Sequence, residues 1–317
     1  MASPWRVLTR DDVMGASRTH IVVTCTNRKQ QAATEELQVR NLTQLGTAGR
    51  FDAWIKRLST SDVPEVPAER LYAGDQWQIA RKLHTKIDNA STWVCSAGYG
   101  LVPLTAELRP YAATFATDQA DSVGNTTAKI QQWWQYLATW RAPGTNSPRS
   151  LAALAHSDPD ATFIVVLSSS YLRAVGPDIA NAANHLRDSE RLSVISAGAT
   201  TAGDWDQYLL PTDARLQNSL GGSLGSLNVR IAAALLESGD LTRPALTEHL
   251  SRLRSSSAPR RKFERVPMTD AEVLTFIAQR LTPRSTHTSM LRELRNAGFA
   301  CEQSRFRQLF LSSMEGA

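Results

Sequence analysis

The sequence predicts an α/β protein: a mainly parallel sheet covered by helices, with a small C-terminal three-helix, helix-turn-helix-like module. Three observations carry that expectation. Four apolar runs of strand length are rich in β-branched residues, helical periodicity fills stretches between them, and the composition turns basic after about Leu241.

The strands come first. HIVVTC (20–25), STWVCS (91–96), TFIVVLS (162–168) and RLSVIS (191–196) are each flanked by polar or turn residues, the pattern of strands buried on both faces. A helix is expected from Ala73, where Trp77, Ala80, Leu83 and Ile87 share one stripe. A second is expected from Ile130, with Trp133, Trp134, Leu137 and Trp140 at helical spacing. Strands alternating with helices imply parallel pairing through crossovers. The stretch from Gly98 to Tyr111, with Pro103 and Pro110, reads as one irregular loop. GGSLGSLNVRIAAALLESG (221–239) is a Gly-rich turn entering an apolar helix. A phosphate cradle there lacks GKS or GKT, and close helix packing is the simpler use of its glycines.

The expected division is an α/β domain over 1–240, a basic linker over 241–267 and a helical module over 268–317. In the module, TDAEVLTFIAQRL, THTSMLRELRNAG and EQSRFRQLFLSSM each have helical periodicity. Of the formal charge of +5, residues 241–317 contribute 13 Lys and Arg against 7 Asp and Glu, so the preceding 240 residues net −1. A basic, Arg-rich tail suits phosphate, and Arg260, Arg261, Lys262, Arg305 and Arg307 are its candidate DNA contacts; a solvated basic face is the plainer reading.

With 317 residues, 42% hydrophobic and 21% charged, the chain can fill a real core, and no run of about eighteen apolar residues suits a bilayer. The N-terminus lacks a stretch of signal-peptide character. Three cysteines at unrelated spacings argue against a disulfide framework and for a reducing, cytoplasmic location. No metal site is expected, because the histidines and cysteines lack ligand spacing, and GxSxG is absent.

In open α/β sheets, ligands bind beyond the carboxyl ends of the strands. Here those ends read TCTNRK, CSAGYG, LSSSY and ISAGAT, small and polar throughout. Cys25 is the candidate nucleophile, since Arg28 and Lys29 follow it and cations favour a thiolate; a buried cysteine that merely packs is the competing reading. Asp75 is a helix cap or a functional carboxylate. Asn27, Ser96, Gly98, Tyr99, Gly100, Tyr111, Ser168 and Tyr171 would line a pocket for a flat ligand, with the tyrosines as walls or as anchors of a long loop.

Taken together, VVTCTNRK, LYAGDQW, CSAGYGLVPLTAELRPY and VVLSSSYLRAV resemble the YaaA-like family over roughly residues 18–240. The family's strand-end S-x-x-YG with a following Pro and P-Y is matched by Ser96, Tyr99, Gly100, Pro103, Pro110 and Tyr111. Further elements are matched by Lys29, Gly74, Asp75, Ser168, Tyr171, Asn228 and Arg230. The resemblance implies DNA-linked deazaguanine biology, and an appended basic module suits its DpdC branch, which acts in a DNA-modification cluster. The expected reaction is hydration of 7-cyano-7-deazaguanine in DNA to the 7-amido base, with Cys25 attacking, Lys29 or Asp75 moving protons, and backbone donors near Gly98 and Gly100 stabilising the nitrogen. No cofactor is required. The partners implied are DNA carrying a deazaguanine base and other proteins of such a cluster, with no membrane. The alternatives are a non-catalytic DNA-binding protein of stress protection or defence, and a transglycosylase using Asp75 or Asp121.

Overall fold

The computed structural model describes residues 18–42, 46–141, 147–199, 203–256, 264–282 and 285–315. The chain divides into two compact units, residues 1–258 and 259–317.

In the first unit, β1 (Thr19–Thr24) leads through α1 (Thr47–Thr60), a two-residue strand β2 (Val66–Pro67), α2 (Ala68–Leu71) and α3 (Asp75–Ala80) to β3 (Ala90–Ser96). A tight turn gives β4 (Gly100–Pro103), and β5 (Glu107–Leu108) pairs with β2. Helices α4 (Thr127–Thr139) and α5 (Leu151–Ser157) precede β6 (Thr162–Val166); α6 (Ser169–His185) precedes β7 (Leu192–Ile195). Helices α7 (Leu216–Leu220), α8 (Leu227–Leu235) and α9 (Arg243–Ser255) follow.

The main sheet has the order β4-β3-β1-β6-β7. All four strands expected from the sequence are present and mutually parallel; only the edge strand β4 is antiparallel. Ile21, Val22, Val23, Val94 and Val165 are fully buried, as strands covered on both faces require. The chain passes from β1 to β3 on one side and then to β6 on the other, so crossover direction reverses at the carboxyl ends of β1 and β6.

Three expectations are corrected. The stretch after Gly98 is not wholly irregular: Gly100 takes φ +78°, which permits the tight turn into β4. The helix from Ala73 ends at Ala80, and a 3-10 turn over Leu83–Lys86 follows; Trp77, Ala80 and Leu83 still share a buried side because both helix types advance about one turn in three to four residues. Within the expected linker, residues 243–255 form α9, whose Leu246 and Leu250 are fully buried in the core of the first unit.

The second unit holds β8 (Val266–Pro267), α10 (Asp270–Arg280), α11 (His287–Asn296), β9 (Phe299–Ala300) and α12 (Gln303–Glu315). Thr269 and Glu272 form a reciprocal cap at the start of α10. Val273, Phe276, Ile277, Met290, Leu294, Phe306 and Phe310 make its core. Among the described residues, no helix is long and apolar enough to cross a membrane.

Candidate active site

Register alone brings the first site residues together. Thr24 lies opposite Cys95, and the Cys25 amide donates to the Cys95 carbonyl at 3.0 Å, so Cys25 leaves β1 beside Ser96 at the end of β3. On the other side, the Ser168 amide donates to Thr24 Oγ1 at 3.0 Å, which sets the start of α6 against the same strand end. The first turn of α6 carries Tyr171, whose hydroxyl lies 3.0 Å from Cys25 Sγ.

The turn between β3 and β4 is held at nearly every polar atom. Trp133 Nε1 donates to the Ala97 carbonyl and Trp54 Nε1 to the Gly98 carbonyl, both at 2.8 Å. The amides of Gly98 and Tyr99 donate to Ser96 Oγ at 3.2 and 3.0 Å. Gly98 must be glycine for a packing reason: a Cβ there would stand 2.6 Å from Tyr111 Cδ2.

These bonds fix proton directions. Ser96 Oγ already accepts two amides, so its own proton goes to Tyr111 Oη, 2.6 Å away. Tyr111 Oη also lies 3.0 Å from Tyr72 Oη, which can fill its remaining lone pair. The Tyr111 proton is then left for Cys25 Sγ at 3.6 Å. Burial, above all, raises the pKa of Tyr72, Tyr111 and Tyr171, so these phenols stay protonated and able to donate. Two hydroxyls thus converge on one sulfur: Tyr111 donates to it, and the proton shared with Tyr171 can lie on either atom.

Lys29 adds a cation. Its Nζ sits 4.2 Å from the Tyr111 ring centroid and 5.7 Å from that of Tyr72, and donates to the Thr26 carbonyl at 3.4 Å. Burial lowers its pKa, opposed by attraction to Cys25 and to Asp121.

Cys25, Lys29, Ser96, Gly98, Tyr99, Tyr111 and Tyr171 therefore form one cluster, with Tyr72 as a member whose site role the sequence reading missed. Its signal is the LY of LYAGDQW, one of the segments that carry the resemblance. Ser168 adjoins the cluster through its backbone, with its hydroxyl 3.2 Å from that of Ser170. Asn27 is exposed on the chain leaving Cys25.

Other placements differ from expectation. Tyr99 and Tyr111 meet edge to face, centroids 5.2 Å apart at 74°, and leave no parallel-walled slot between them for a base. The Tyr99 hydroxyl instead accepts from the Arg109 amide at 3.0 Å. The Gly98 amide is taken by Ser96, and Gly100 pairs with Ser96 across the β3–β4 ladder, so the expected backbone donors are engaged. Asp75 begins α3 and pairs with Arg230 of α8 at 3.2 Å; hydrogen bonds to Ser226 and Arg230 lower its pKa, and it ties two helices together rather than joining the cysteine. Asp121 is held by Arg40, with Arg40 Nε donating at 2.9 Å. The cluster is closed: Cys25 is 5% exposed, Ser96 0%, Tyr111 1% and Tyr171 4%.

In the second unit, Arg305 is committed to Asp270 at 2.7 Å and to the Met268 carbonyl, whereas Arg307 is exposed on α12. Arg260, Arg261 and Lys262 lie outside the described residues.

The sequence matches no protein-family model and no curated protein.

Proposed function

We propose that the chain is an enzyme that hydrates the nitrile of 7-cyano-7-deazaguanine in DNA, with Cys25 as the nucleophile. The observation that supports it is the convergence of the Tyr171 and Tyr111 hydroxyls on Cys25 Sγ beside the Lys29 ammonium, at the carboxyl end of β1 where crossover direction reverses. The base and its DNA context come from the resemblance of the quoted motifs.

The chemistry balances with one water. The thiolate forms a C–S bond to the nitrile carbon while a π pair moves to nitrogen, which takes a proton from a phenol or from Lys29. Water adds to the resulting thioimidate carbon with one of its protons passing to nitrogen, and as the C–S bond breaks to return the thiolate and leave the amide, the remaining hydroxyl proton goes back to the phenol or Lys29 that gave the first. Desolvation suits Lys29 to this exchange by bringing its proton affinity nearer neutrality. Because Sγ is enclosed, the base must displace a side chain to reach it, and Tyr111, with the longer contact of 3.6 Å, is the one that yields in this reading. The base must also leave the DNA stack.

A second reading, a non-catalytic DNA-binding protein, is supported by the same closure, since a mutually satisfied buried cluster also serves to anchor the β3–β4 turn. One experiment separates the two. DNA carrying the cyano base is incubated with the wild-type chain, Cys25→Ser and Cys25→Ala, and its nucleosides are analysed by mass spectrometry. Amide formed by wild type and lost in both variants supports the enzyme. No amide from wild type, or undiminished amide from Cys25→Ala, rejects it.

A further inference from the structure

A cavity of about 490 Å³ opens beside the edge strand, lined by Leu101, Val102 and Pro103 of β4, by Leu108, and by Trp140 and Arg149. Its volume falls within the range of small-molecule sites, roughly 300–1,000 Å³. Tyr99, which closes one side of the Cys25 cluster, also contributes to this wall.

The charge on the wall is uneven. Arg109 holds Glu65 in an ion pair. Arg149 has no such partner: among the described residues no carboxylate pairs with it, and its buried Nε meets no acceptor. Its guanidinium lies 4.5 Å from the Trp140 ring centroid and donates through Nη2 to the Tyr99 carbonyl. Burial pushes its pKa down to about 10, yet it remains a cation at neutral pH. Arg149 thus stands, among the described residues, without a carboxylate partner in the wall of a cavity of mixed lining, where Leu101, Val102, Leu108 and Trp140 supply apolar surface beside the Glu107 carboxylate, and its guanidinium can take an oxyanion there.

We infer that this cavity binds a small organic molecule with an apolar body and one oxyanion, a carboxylate or a phosphate monoester, whose charge rests on Arg149. Trp140 holds the guanidinium plane from one face, and Leu101, Val102 and Leu108 cover the apolar body. The site shares Tyr99 with the cysteine cluster but none of the groups given a part in the thiol chemistry, Cys25, Lys29, Tyr111 and Tyr171, so its test is independent of the proposed reaction.

The test is calorimetric titration of the full chain with indole-3-acetate and phenyl phosphate, each beside its uncharged counterpart, indole-3-acetamide and phenol. At least one anion should bind saturably and at least about tenfold more tightly than its counterpart, the scale of one charged hydrogen bond. Which anion binds identifies carboxylate or phosphate as the head group. Arg149→Gln should lower that affinity about tenfold or more while leaving the uncharged counterpart unchanged. Ala106→Trp, which fills the cavity from its lining and leaves Arg149 in place, should abolish binding; should Arg149→Gln fail to fold, this variant and the charged–uncharged comparison decide. The inference is overturned if neither anion binds at about 10 mM, if anion and counterpart bind alike, or if either folded variant retains wild-type affinity.

Discussion

Replacing Ser96 by Ala removes one oxygen on which three neighbours depend. The Gly98 and Tyr99 amides, at 3.2 and 3.0 Å, lose their acceptor, and Tyr111 Oη loses a donor at 2.6 Å. An unsatisfied buried donor costs about 1–3 kcal/mol, so two amides cost about 2–6 kcal/mol. Tyr111 adds little, because its oxygen keeps Tyr72 at 3.0 Å. Local relaxation favours the lower half of that range, and we expect about 3 kcal/mol. For a unit of this size that lowers the melting temperature by roughly 6–12 °C. The assay is urea unfolding followed by tryptophan emission. All eight tryptophans lie within residues 1–258, so the signal reports the first unit alone. A loss below about 1 kcal/mol at unchanged m-value would refute the directed network, since it would mean that the two amides never relied on Ser96.

Gly98→Ala places a methyl 2.6 Å from Tyr111 Cδ2 and 3.2 Å from Trp54 Cζ2; overpacking should cost about 1–3 kcal/mol, and a neutral result in the same unfolding assay would show that the ring has room to move. His20 accepts from Trp93 Nε1 at Nδ1 (3.1 Å) and faces Asp158 through Nε2 (3.1 Å), and burial, the largest influence, lowers its pKa from 6.5. Its contribution to stability is therefore complete above about pH 6.5 and lost as pH falls through the folded value; NMR titration should find it below 6.5, and His20→Gln should remove that part of the acid slope. Asp75→Asn should leave amide formation at the wild-type rate, because its partner is Arg230; a collapse in rate by mass spectrometry would return Asp75 to the mechanism. Arg307→Ala should weaken DNA binding uniformly across sequences and reduce the salt slope by about 1, whereas an unchanged slope would remove α12 from the interface.

Much of the site was legible because strand ends are legible. Cys25, Ser96 and Ser168 each follow an apolar run, and parallel pairing places all such ends at one edge of the sheet, so their proximity follows from pattern. Tyr171 was readable for the same reason, falling in the first turn after β6. Tyr72 and Tyr111 were harder to assign: they arrive on separate segments, and their meeting at 3.0 Å depends on how the β5 region and the chain before α3 fold over β3. Asp75 was overvalued because position in a helix says nothing about Arg230, which lies 155 residues away.

Sequence by itself determined the four parallel strands, because an apolar run of that length must be covered on both faces, and the terminal three-helix unit, because its stripes and caps are local. Only the tertiary structure decided that the tyrosines fill the space at the strand ends instead of walling an open slot. The reason is geometric: whether two rings lie parallel or edge to face depends on neighbours brought from distant segments, such as Trp54 against Gly98 and Arg109 against Tyr99, and no local pattern encodes that angle.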